Sequence, residues 1–141
     1  MAAGTPVSPG INARIIHASL VTGVVLFWLV AWYLGRSQAE PIYSLPDRRV
    51  LYIALFVVSA VLFGAAMFTA GRLTPPIAGQ SQDDWWRGNL GKAITIWALV
   101  EAPSLLGLVG YLVTHDFRAL LATLAGLLLF GNYRPGRLLE R

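Results

Sequence analysis

The sequence predicts an all-α, polytopic membrane protein of four transmembrane helices, the fourth short, and three observations carry that expectation. Hydrophobic residues make up 56% of the 141 residues and charged ones only 13%, a balance outside the ordinary soluble range. The apolar residues fall into runs near the roughly 20 residues that cross a 30 Å hydrocarbon core as a helix. Basic residues and aromatic belts sit in the connectors and at the ends of those runs, where a bilayer places them. A single membrane domain over residues 1–141 follows, with spans at about 15–34, 50–70, 93–113 and 117–131.

Residues 1–12 hold small side chains, Pro and Gly, without an early positive charge or a cleavage site. They read as an irregular or partly ordered tail and not as a cleavable signal peptide. The first span follows Arg14 and ends at Gly35-Arg36, with Trp32 and Tyr33 as belt aromatics. Ser19 and Gly23 stand four apart, a spacing that lets helix backbones approach closely. His17 lies one turn inside this span and is expected to hydrogen-bond to headgroups or a neighbouring loop. Ala13-x-x-x-His17 resembles the Ala-x-x-x-His element of light-harvesting polypeptides, which implies pigment or haem ligation as a lesser option.

Pro41, Pro46 and Asp47-Arg48-Arg49 mark the first connector, with Asp47 placed to cap the second helix. The second span repeats the small-residue spacing at Ala60 and Gly64. Residues 73–92 form the longest polar connector, broken by Pro75-Pro76. In it Ser81 or Asp83 is suited to cap a short helix leading into the third span. Trp85-Trp86 is expected to anchor at the membrane interface or to dock a partner, since Trp is enriched in both settings. Asp83 and Asp84 are expected to be solvated.

The third span contains Glu101, the one acid inside any apolar run. An ionised carboxylate at mid-depth costs at least a few kcal/mol, so Glu101 is expected to face protein or trapped water and to stay protonated at neutral pH. Pro103 has no N–H for Leu99 and should kink or loosen the helix. Ala98 and Ala102, and the strip Ser104, Gly107 and Gly110, offer further close-packing faces. Trp97 and Ser104 fall on the Glu101 side of the helix. The segment Ala98-Leu-Val-Glu101-Ala102, followed by Leu106-Gly107-Leu108-Val109, resembles the outer helix of rotary ATP synthase c subunits. That resemblance covers about twenty residues and implies Glu101 as a proton carrier. The whole-chain layout, with Trp97-Ala98-Leu99-Val100-Glu101 in the third helix, resembles uncharacterised small bacterial four-helix membrane proteins, which imply no function.

Asp116 is placed to cap the fourth helix after the tight connector Thr114-His115. That helix is short for a full crossing, and Arg118 and Arg134 are expected to complete it by snorkelling, with a half-inserted helix as the alternative. Tyr133 and the Arg134, Arg137 and Arg141 tail should anchor it at the interface. Arg14, Arg72, Arg87, Lys92, Arg134, Arg137 and Arg141 fall on one side, and Arg36, Arg48, Arg49 and Arg118 on the other. The more basic side should be cytoplasmic, so both termini are expected there.

The chain has no cysteine, which excludes disulfides and thiolate chemistry, and its two histidines argue against a metal site. No nucleophile–base set or paired carboxylates can be assembled, so no catalytic residue is expected. A net charge of +4 scattered over the connectors suits anionic lipid and not nucleic acid, and no soluble substrate is implied. The expected function is an accessory or structural subunit of a larger membrane complex, bioenergetic complexes included, in the bacterial inner membrane. Its expected partners are lipids and other integral membrane subunits. The alternative is a proton- or ion-coupled oligomer using Glu101, and no cofactor is required by either.

Overall fold

The computed structural model describes residues 8–37 and 48–140, and every regular element within them is helical. Helix α1 (Pro9–Ser37) begins well before the apolar run. Pro9 loses nothing at a helix start, where its missing N–H would be an orphan, and the Ser8 hydroxyl accepts the Ile11 N–H at 3.3 Å. Residues 9–12, the end of the tail expected to be irregular or partly ordered, are therefore its first turn; residues 1–7 lie outside the described residues. Helix α2 (Arg48–Ala70) matches the second run, and the proposed cap Asp47 falls outside the described residues.

Helix α3 (Gln82–Thr114) is the longest at 33 residues. Ser81 caps it by accepting the Asp84 N–H at 3.1 Å and donating its hydroxyl to the Asp84 carboxylate at 2.7 Å. No separate short helix precedes the span: residues 82–92, expected as connector, belong to the same continuous helix, which also runs unbroken through the buried Pro103. It stops at His115, whose left-handed backbone (φ 53°) turns its N–H onto the Tyr111 carbonyl at 2.7 Å.

Asp116 then caps as expected, accepting the Arg118 N–H at 2.9 Å. A 3-10 turn over Phe117–Ala119 leads into α4 (Leu120–Asn132), and a five-residue helix α5 (Pro135–Leu139) follows. Instead of anchoring outward, Tyr133 is buried, as are Pro135 and Leu138 of α5. Three helices, α1, α2 and α3, are long and apolar enough to cross a membrane; α4 with its leading turn is shorter.

Helix α3 is the hub, since α1, α2 and α4 each pack on it while α1 and α2 do not pack extensively on each other. Gly10 lies by Asp83 and Trp86, and Gly35 by Tyr111, so α1 runs parallel to α3. Gly110 meets Leu55 and Ala119, while Trp85 reaches Thr74 and Trp97 reaches Tyr133, so α2 and α4 run antiparallel to it. By the time α4 ends it has reached the level of Trp97, one turn from Ala93 where the apolar run of α3 starts. The first and last described residues consequently lie toward the same end of the molecule.

The core is built on α3 and is rich in Trp: Trp85, Trp86 and Trp97 are almost wholly buried, as are Ile96, Val100 and, further along the helix, Leu108. By contrast α1 buries only Ala13, Val24 and Ala31, and its outer face carries Leu29 and Val30, as α2 carries Phe56 and Val61. Helices apolar on all sides, with bulky side chains left outward, suit a hydrocarbon surround. Arg36 lies over the Trp32 ring at 4.4 Å and Arg72 over Phe68 at 4.1 Å, cations on aromatics at opposite ends of the bundle.

Candidate functional site

Glu101 sits halfway along the apolar run of α3, at the rim of the helix's outward face. It is partly exposed, with Ala98 and Ala102 exposed beside it. The two groups expected to keep it company are occupied elsewhere. Trp97 is fully buried and its indole N–H donates to the Tyr133 carbonyl at 2.8 Å. Ser104 is fully buried and its hydroxyl donates to the Val100 carbonyl at 2.7 Å. Among the described residues no hydrogen bond or ion pair reaches the Glu101 carboxyl. Nor do the described residues contain a group of His, Asp or Glu able to hold a metal ion.

His17 is a clasp between helices. Its Nε2 donates to the Phe130 carbonyl at 3.1 Å, the only role open to it opposite an acceptor, and its ring stands edge-on to Trp97 and Phe130 at 5.2 and 5.7 Å. The partner is thus the backbone near the end of α4, not a headgroup.

The Trp85-Trp86 pair, expected at the bilayer interface or against a partner, is instead buried in the chain itself, each residue 2% exposed. Its one exposed-looking attribute in the sequence, the polar flanks, belongs to the opposite side of the helix, where Arg87 pairs with Asp84 at 2.9 Å. The Trp85 indole donates to the Thr74 carbonyl at 2.7 Å, and Asn89 joins the same segment by donating to the Trp85 carbonyl and accepting the Thr74 N–H at 3.4 Å. Trp86 packs edge-on to Trp85 at 4.9 Å and beside Gly10. Asp83, expected to be solvated, accepts the Gly10 N–H at 3.3 Å and so ties the start of α1 to the start of α3.

The small-residue strips divide into two sets. Ser104, Gly107 and Gly110 are buried against the start of α4 and against α2, and a Cβ on Gly107 would lie 2.6 Å from Thr123 Oγ1 and 2.7 Å from the Ala119 carbonyl oxygen. The Thr123 hydroxyl returns the contact by donating to the Ser104 carbonyl at 2.7 Å. Ser19, Gly23, Ala60, Ala98 and Ala102 are exposed and Gly64 partly so, and a Cβ on Gly23 or Gly64 would meet nothing within 4 Å. These strips do no packing among the described residues.

Three close approaches were not legible as such: Gly10 on Trp86, Gly35 on Tyr111, and Gly126 on Ser104 and the Val100 carbonyl. Gly126 carried a usable signal, because a glycine inside a leucine-rich helix forfeits about 1 kcal/mol of helix propensity unless something needs the room. No family model matches the chain, and comparison with curated proteins and with solved structures gives no match.

Proposed function

We propose that the chain is an integral membrane protein that serves as an accessory subunit of a larger membrane complex, joined through the outward face of α3 around Glu101. One observation carries this reading: a carboxyl in the middle of a helix of spanning length is partly exposed, flanked by exposed alanines, and unpartnered among the described residues. In hydrocarbon, a polar group without a partner costs several kcal/mol even when neutral, so a neighbouring helix that offers it a hydrogen bond is held there. Ala98 and Ala102 let that helix come close. We place the chain in a bacterial inner membrane with both termini on the cytoplasmic side, in keeping with the basic residues of the connectors and the tail.

The alternative is a proton-coupled oligomer in which the same carboxyl binds and releases a proton. It is favoured by the same partial exposure, which leaves Glu101 reachable from a neighbouring copy. Gentle extraction through a C-terminal tag, with native sizing and mass spectrometry, tests the first reading: other subunits at fixed stoichiometry are expected, and a lone monomer overturns it. Glu101→Gln separates the two, since it keeps shape and hydrogen bonding but removes ionisation. The accessory reading expects unchanged co-purification and unchanged proton movement; assembly with loss of proton movement favours the alternative.

A further inference from the structure

A groove of about 570 Å³ opens outward between α2 and α4, which run parallel to each other on the same side of α3. Its wall is apolar over most of its length, from Tyr52 past Ser59 to Phe63 on α2 and along Ala122 and Ala125 on α4, and exposed Arg118 stands at one end. Tyr52 and Arg118 lie at the His115 end of the bundle, and Phe63 and Ala125 lie deepest. From Tyr52 to Phe63 the groove measures roughly 16 Å at 1.5 Å per residue, close to the ~15 Å depth of one leaflet of a 30 Å hydrocarbon core. Two polar atoms on its walls, Tyr52 Oη and Ser59 Oγ, are buried without a hydrogen-bond partner.

We propose that this groove holds one phospholipid with an anionic headgroup, its acyl chain lying along α2 and α4 and its phosphate on Arg118. The inference rests on the membrane-spanning reading but not on the accessory-subunit one. A cation at the mouth of an apolar slot one leaflet deep matches the division of a lipid into charged head and hydrocarbon tail. A helix from another protein would fit the slot by shape, but a lone cation at the end of an otherwise apolar slot is the pairing that a single lipid molecule itself supplies. Small residues on the α4 wall keep the slot open: larger side chains at Ala122 or Ala125 would occupy the space of the acyl chain.

The test is native mass spectrometry of the detergent-purified full chain, with phosphatidylglycerol and phosphatidylcholine of equal acyl length added in turn. One phosphatidylglycerol per chain is expected, retained at least fivefold better than phosphatidylcholine, as one cation near a headgroup would give. Arg118→Gln, at an exposed position, should erase that preference while leaving an acyl-dependent adduct; Ala122→Phe should remove both adducts at unchanged helical content. Equal retention of the two lipids by the wild type, or an undiminished adduct in both variants, overturns the proposal. So does a lipid-free dimer broken by Ala122→Phe, which would assign the groove to a second copy. A chain released from membranes without detergent would overturn the membrane reading itself, whereas a detergent-requiring chain that retains no lipid overturns only the groove.

Discussion

At Trp97 one indole joins three helices: the ring packs under His17 of α1, its body fills the core on α3, and its N–H holds the Tyr133 carbonyl at the end of α4. Trp97→Phe keeps most of the packing but removes the indole N–H bond to the Tyr133 carbonyl, and should lower stability in detergent by about 1 kcal/mol, read from a denaturant titration. The glycines give a paired prediction. Gly107→Ala forces a methyl onto the Ala119 carbonyl, a backbone atom that cannot rotate away, and should cost about 1–3 kcal/mol in the same assay. Gly23→Ala meets nothing and should leave the isolated chain unchanged or stabilise it by up to about 1 kcal/mol. Glu101 differs from both. Glu101→Leu should not weaken the isolated chain, because no described residue bonds the carboxyl, yet it should diminish co-purification of partner subunits.

At the scale of the element, what was legible follows from what hydropathy and capping chemistry can encode. The apolar runs located α1 to α4, and short polar residues at Ser81 and Asp116 marked two helix starts because their side-chain oxygens satisfy orphan N–H groups. Ser8-Pro9 carried the same kind of signal for α1 but stood among small residues that resembled a tail. The fusion of residues 82–92 with the third span was hidden because polarity marks where a helix leaves hydrocarbon, not where it ends. Which small-residue strip packs within the chain was not legible for a physical reason. In lipid the inward and outward faces of a helix are both apolar, so spacing shows that two helices can approach closely but not which of several faces does so. Gly107 and Ala98 look equivalent in sequence; only Ser104, Thr123 and Gly126 on the facing surfaces separate them. Ser81→Ala should cost about 1 kcal/mol by loss of the cap and loosen the first turn of α3, seen as faster hydrogen exchange around Asp83–Trp86 with the span itself protected.

For the whole molecule, the arrangement is a hub and not a closed bundle. Helix α3 is covered by α1, α2 and α4 along its buried faces and left bare along the stripe that carries Ala98, Ala102 and Leu106, with Glu101 at its rim. The chain's stability therefore resides in α3 and the indoles around it, while its outward strips remain free for contacts with other molecules. We propose that the bare stripe of α3 meets another protein within the membrane. It is tested most directly by placing a photo-crosslinking side chain at Ala102 in native membranes, with the exposed α4 position Leu128 as the control. A discrete protein adduct is expected from Ala102, weaker from Leu128, and reduced when Glu101→Leu is combined with the Ala102 probe. Lipid adducts alone from Ala102, or the same protein adducts from both positions regardless of Glu101, would contradict it.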